Sequence, residues 1–238
     1  MPIYGKNHGK KAPSLQRLDR TKIARVPGIR ALQWHKNIET ESIRTERAII
    51  GRHGWGSEST KLRAVNKNLG FSVTRDIRKR IRAVRPRPAV VLEWGCGKGT
   101  TAEEIAKKFG QRVRVYGFSD TAYKEWGNSQ NVKYIHGIAQ DLPRYVKNGS
   151  VDLIYSSIGL LHLPPKAFQS NLAQLLSKLA AGGKIVTDIG NLKYYADPIQ
   201  KTIGVACEGT GMKFKVKIKP SKKGRGEFGG TLIIEREK

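Results

Sequence analysis

A chain of 238 residues, 38% of them hydrophobic, has room for one ordinary domain and an extension, and it contains no apolar run of the roughly 20 residues that a membrane span needs. Two cysteines, Cys96 and Cys207, lie in no Cys/His cluster, which excludes a disulfide scaffold and a structural zinc site, and no metal is expected. The 45 Lys and Arg against 19 Asp and Glu leave a formal charge of +26, which points to a polyanionic partner, most often nucleic acid, because each neutralised phosphate releases counterions.

The first thirty residues hold Gly, Pro and clustered Lys without an apolar period and read as an extended basic arm. This start lacks the apolar stretch of a secretory signal. It is basic and acid-poor up to Asp19, as a mitochondrial presequence would be, but the early Gly, Pro and Lys oppose the amphipathic helix of such a presequence. Weak helical patterning runs from Ile29 to Ile50, followed by a loop at His53–Ser57. A helix is predicted over Thr74–Val84, with Ile77, Ile81 and Val84 on one stripe and Arg75, Arg78, Lys79 and Arg82 among the basic residues elsewhere. Pro86 and Pro88 then mark a boundary, dividing the chain into a basic extension, 1–85, and a domain, 86–238.

Beyond the boundary strands alternate with helices. Ala89–Glu93 reads as a buried parallel strand, and Thr101–Phe109 as a helix with Thr100 and Glu103 spaced as a capping box. Val113–Phe118, Val132–His136 and Val151–Ser156 are the next three strands. Ala167–Leu179 is a helix that Gly182-Gly183 should stop, Lys184–Asp188 is a fifth strand, and Met212–Lys219 and Gly230–Glu235 make two more. This order predicts an α/β fold with a doubly wound sheet.

Val90-Val91-Leu92-Glu93-Trp94-Gly95-Cys96-Gly97-Lys98-Gly99-Thr100 carries the chemistry. A buried strand ends in an acid, turns through alternating glycines that let a ligand approach the backbone, and enters a helix whose first N–H groups are free. The spacing is GxGxG, and Thr100 stands where a dinucleotide fold places its last glycine.

The acid followed by GxGxG resembles motif I of the class I S-adenosylmethionine (SAM) methyltransferases. Three further blocks continue the resemblance to the small-molecule, UbiE-like branch of that superfamily: Gly137-Ile138-Ala139-Gln140-Asp141-Leu142-Pro143, Ser150–Ser157 with Leu160-Leu161-His162-Leu163, and Leu179–Val186. The four cover about 100 residues in the family's order. The resemblance implies a seven-stranded, mostly parallel sheet ending in a hairpin, with SAM as cofactor. It further implies that Glu93 holds the methionine amino group and that Gly95, Cys96, Gly97 and Gly99 pass beneath the methionine and ribose. Ser119 and Asp120 would face the ribose, Ile138 and Ala139 would flank the adenine, and Ser156 and Ser157 would line the methionine side. The family usually carries acids at the positions of Ser119 and Ile138, so both directional acceptors are missing there.

Methyl transfer needs alignment more than acid–base chemistry, and His162, just past the fourth strand, is the best-placed candidate base. The Asn/Asp-Pro-Pro-aromatic motif of amino-group transfer, the Pro-Cys nucleophile of cytosine C5 transfer and the Lys-Asp-Lys-Glu set of ribose enzymes are not recognisable. Lys213, Lys215, Lys217 and Lys219 alternate with apolar residues and should face one way, with Lys222, Lys223 and Arg225 extending the patch; lysines on an edge strand also discourage edge-to-edge pairing. With the arm and Arg75, Arg78, Lys79 and Arg82 they form the expected RNA-binding surface. The expected function is methylation of RNA or of a ribonucleoprotein such as a ribosome. A methyltransferase fold reduced to an RNA-binding scaffold, and a small-molecule methyltransferase, are the alternatives. A reducing intracellular compartment is expected, either the cytoplasm (including that of a virus-infected host) or the mitochondrion.

Overall fold

The structure, a computed structural model, describes residues 61–127, 129–157, 159–160, 163–189, 192–220 and 230–238. Among these, two helices come first, α1 (Leu62–Asn68) and α2 (Val73–Ala83). They are followed by β1 (Ala89–Trp94), α3 (Thr100–Phe109), β2 (Val113–Ser119), β3 (Val132–His136) and β4 (Val151–Ser156). The chain closes with α4 (Pro165–Lys178), β5 (Leu179–Ile189), α5 (Leu192–Thr210), β6 (Phe214–Pro220) and β7 (Gly230–Arg236).

The strands form one sheet in the order β3-β2-β1-β4-β5-β7-β6. Its first five strands are parallel, and β7 runs antiparallel to both β5 and β6. The parallel part is apolar on both faces because helices cover both. Val91, Val115, Leu153 and Tyr155 face α1, α2 and α3, while Leu92, Phe118 and Ile154 join the core that holds α4. From β1 the chain winds outward to β2 and β3, then returns to the other side of β1 as β4. The crevice beyond the carboxyl ends of β1 and β4 is therefore a topological switch point, where open α/β sheets place ligands.

The helix predicted before Pro86 forms as α2, displaced by one residue, with Ser72 capping it by accepting from the Arg75 N–H at 3.2 Å. Leu62, Val65, Leu69, Val73, Ile77 and Ile81 share one core with Val91 and Val115 of the sheet. Asp152, 2% exposed, locks the entry to β1. It accepts two bonds from the Arg87 guanidinium, at 2.7 and 2.8 Å, and one from the Val90 N–H at 2.8 Å. Arg87 is about half exposed, so solvent screens part of this pair. Asp152→Ala is expected to cost about 2 kcal/mol, read from urea denaturation at neutral pH, because it leaves a buried N–H and a guanidinium unanswered.

Three predicted features differ. Thr100 does not cap α3: Gly99, at φ 78°, is the N-cap and Thr100 is already helical, while Glu103 is engaged by the hydroxyls of Ser129 and Tyr134. Gly182-Gly183 does not stop α4, which ends at Lys178; both glycines lie inside β5, beside a register shift against β4 at Val151/Leu153. α5 is absent from the predicted elements because Pro198 interrupts its pattern; among its described side chains Ile199, Ile203 and Ala206 pack on the core. The patterning of Ile29–Ile50 and the loop at 53–57 lie outside the described residues. Among the described residues no helix is long and apolar enough to cross a membrane.

Candidate functional site

The glycine-rich turn sits at the switch point and is anchored from β2: the N–H groups of Gly95 and Cys96 both donate to the Phe118 carbonyl at 2.9 Å. Gly95 is the exposed residue of the turn, at φ 76°, and a Cβ there would stand 3.0 Å from Gly159 Cα. Gly159 is equally constrained, since its own Cβ would lie 2.8 Å from Ser156 Oγ and 2.9 Å from the Trp94 carbonyl. The loops after β1 and β4 thus touch backbone to backbone, and Gly159 belongs to the site although no motif marked it.

Glu93, the penultimate residue of β1, is 6% exposed, and its Oε2 has no hydrogen-bond partner. Burial pushes its carboxyl up to about 8, opposed by hydrogen bonding from Tyr155, the Ala102 backbone and Thr101. The Tyr155 hydroxyl is also buried without a bond of normal geometry, although it lies close enough to Glu93 for each to shift the other. A buried carboxylate with an open acceptor, two residues before an exposed glycine, is a receptor for a cationic group that arrives close to the backbone.

A second layer stiffens the turn. Tyr134 of β3 donates to Glu103 Oε1 at 2.8 Å, and Trp126 stacks on its ring at 4.9 Å and 8°. Trp126 Nε1 donates to the Gly97 carbonyl at 2.7 Å. The β2–β3 connection contains no helix among its described residues, and this aromatic pair fills the flank of the turn. Neither residue was singled out in the sequence; a tryptophan in a short loop carries no periodic signal.

The remaining predicted site residues divide. Ser119 is buried at the end of β2, with its Oγ accepting from the Thr121 N–H at 3.3 Å. Asp120 is exposed beside it and its Oδ1 accepts from the Thr121 hydroxyl. At the end of β3 the Ile138 N–H donates to Asp141 Oδ2 at 3.1 Å, so an acid three residues further along lies beside the position that lacks one. Ala139 is fully buried in the core rather than lining an open site. Ser156 is buried and accepts from the Leu160 N–H at 3.1 Å, while Ser157 accepts from Asn68 of the α1–α2 region at 3.4 Å. Cys96 is buried, and desolvation, then Glu93, hold its thiol far above the ordinary range, so it is no nucleophile at neutral pH. His162 lies outside the described residues.

The basic residues are surface features. Arg75, Arg78, Lys79 and Arg82 are exposed along α2. Lys213, Lys215 and Lys217 are exposed while Phe214, Val216 and Ile218 pack on the core, as the alternation requires. Lys219 is half-buried over the Phe71 ring. Lys222, Lys223 and Arg225 lie outside the described residues.

A family profile described as a methyltransferase domain matches residues 91–183, the span from the middle of β1 into β5. No curated protein matches the chain. Among solved structures, the fold is similar to that of the plantazolicin methyltransferase BamL in complex with a triazolic desmethylPZN analog and SAH (TM-score 0.53, 13% identity, 89% of this chain and 96% of that one). It is also similar to the CurJ carbon methyltransferase (TM-score 0.50, 18% identity, 74% of this chain and 56% of that one). An rRNA methylase from Streptococcus thermophilus matches at TM-score 0.44 and 15% identity over 67% of this chain and 93% of that one. The α/β fold is similar to that of these two methyltransferases, and the glycine turn lies within the profile match. The open Glu93 oxygen and the exposed Gly95 backbone fit the amino group and chain of a methionine-derived cofactor.

Proposed function

We propose that this chain, which carries a methyltransferase domain, transfers a methyl group from SAM to RNA or to a protein held on RNA. The observation that carries the cofactor half is the buried, unanswered Glu93 oxygen beside an open glycine turn within the profile match. The acceptor half rests on charge. A formal +26 with exposed Arg and Lys on α2 and β6 favours a phosphate-rich partner over a neutral small molecule.

SAM supplies a methyl group on a sulfonium, already activated for displacement. The chain then has to bind, orient and exclude water. Glu93 would hold the cofactor's amino group and the turn at Gly95–Gly99 its chain, with Trp126 and Tyr134 keeping the turn rigid. Asp120, and Asp141 beside Ile138, would offer polar partners to the ribose and adenine in place of the acids absent at Ser119 and Ile138. The buried Ser156, through its bond to Leu160, would fix the loop on the methionine side.

Two measurements on nucleic-acid-free protein test the reading. Calorimetric titration with S-adenosylhomocysteine should give micromolar binding that Gly97→Arg abolishes. Incubation with methyl-labelled SAM and total cellular RNA should then place label in RNase-sensitive material or in RNA-bound protein. Cofactor binding with label only in small molecules would replace the acceptor, and a folded protein without cofactor binding would overturn the proposal.

A further inference from the structure

At the end of the sheet opposite the glycine turn, α2 and the end of α3 enclose a cleft of about 270 Å³ lined by Arg78, Ile81, Arg82, Arg85, Phe109 and Arg112. Arg78, Arg82 and Arg85 fall at i, i+4 and i+7 and so share the face of α2 and its exit, while Arg112 approaches from the turn before β2. Ile81 and Phe109 are buried and form an apolar floor, and all four arginines are exposed. Among the described residues none of the four is paired with a carboxylate, and no acid lines the cleft. The neighbouring Arg80 and Arg87, by contrast, are both neutralised, by Asp76 with Glu235 and by Asp152. Four like charges converging without a counterion disfavour the free protein and are relieved when an anion with several charges enters. Guanidinium forks match phosphate oxygens in two-point geometry.

We propose that this cleft grips consecutive phosphodiester groups of the RNA acceptor, as an anchor remote from the site of methyl transfer. The inference rests on the RNA reading above and adds to it a place and a spacing. β1 rises from the cleft's end of the sheet to the glycine turn over six residues, roughly 20 Å, and α3 spans the same interval in ten residues, roughly 15 Å. At about 3.4 Å per nucleotide along a stacked strand, anchor and reaction centre are on the order of five nucleotides apart. The anchor would therefore hold backbone outside the target nucleotide and read no base.

The test compares two full-length variants that remove equal charge. One is Arg78→Gln/Arg82→Gln/Arg112→Gln in the cleft. The other is Lys133→Gln/Lys147→Gln/Lys201→Gln on exposed positions elsewhere. Anisotropy of a fluorescein-labelled 20-nucleotide single-stranded RNA is followed from about 50 to 300 mM salt, with unchanged thermal melting confirming the fold. The cleft variant is expected to bind at least tenfold more weakly near 150 mM salt, with the slope of log K against log salt shallower by about 2, as three lost phosphate contacts predict, and the control to change less than about twofold. Equal losses in both variants would mean diffuse charge and overturn the anchor, as would no loss in either. The methyltransferase reading fails separately. A cleft-dependent RNA affinity in a protein that methylates no RNA sinks that reading and leaves the anchor, whereas methylation of RNA by the cleft variant at wild-type KM sinks the anchor alone.

Discussion

Glu93→Gln is expected to stabilise the ligand-free protein while weakening its hold on S-adenosylhomocysteine by roughly thirty- to a hundredfold, the worth of a charge-assisted hydrogen bond. Burial lifts the folded carboxyl from 4.5 to about 8, whereas the unfolded chain keeps the ordinary value. A carboxyl raised by folding opposes the fold whenever the unfolded form is ionised. The penalty is absent below the unfolded value, grows through the window from 4.5 to about 8, and is constant above it. At pH 7 it is on the order of 3 kcal/mol, and a glutamine does not have it. Urea melts at about pH 5 and pH 8 should therefore diverge, the wild type losing stability relative to the glutamine variant as pH rises. Identical pH responses would show that Glu93 titrates normally. Binding runs the other way. A cationic amine stabilises the carboxylate, so capture below about pH 8 releases up to one proton, and wild-type affinity climbs by as much as about tenfold per unit between roughly pH 6 and 7.5. The climb stops near 8, where an α-amino group begins to lose its own proton. Calorimetry in two buffers of different ionisation enthalpy reads the proton directly, and the glutamine variant should show none from this residue.

Glu93 was legible in the sequence because an acid at the end of an apolar run, followed by glycines at fixed spacing, has few other uses. The strands were legible for a related reason. A sheet buried on both faces leaves continuous apolar runs, and Val132–His136 and Val151–Ser156 form with the predicted bounds. What escaped is what depends on contact between distant segments. Gly159 matters only because the loop after β4 lies on the loop after β1. Trp126 matters because its indole reaches Gly97, 29 residues away. Thr100 and Glu103 had capping spacing, but the left-handed Gly99 moved the cap one residue back and tertiary partners took the glutamate. Gly182-Gly183 looked like a helix stop because the bulge that needs the pair is invisible until β5 is laid against β4. Val65, Leu69, Val73 and Ile77, all at 1% exposure or less, tie α1 and α2 to the sheet, a packing that shows only once the sheet is in place.

Gly99→Ala is expected to cost about 2–5 kcal/mol and lower the melting temperature by roughly 5–15 °C, an effect out of proportion to one methyl group. The φ of 78° places alanine in the left-handed region, worth about 1–2 kcal/mol of strain. Its Cβ would fall 2.4 Å from Tyr134 Oη and 2.5 and 2.7 Å from two ring carbons. A tyrosine at a free surface would swing away, but this ring is pinned between Trp126 and Glu103, and moving it disturbs the indole that holds the Gly97 carbonyl. The damage should reach the cofactor site as well as the fold, through loss of the turn's rigidity. Tyr134→Ala removes the collision and the buttress together, so the two substitutions should couple. The double variant is expected to be more stable than the sum of the single losses by about 1–2 kcal/mol, the part due to the clash, with the strain at Gly99 remaining. Its affinity for S-adenosylhomocysteine should not recover, because Trp126 has lost the ring it stacks on. Strict additivity in a double-mutant cycle would show that Gly99 is required for its backbone angle alone. Recovered affinity would show that the aromatic pair contributes nothing to the turn that binds the cofactor.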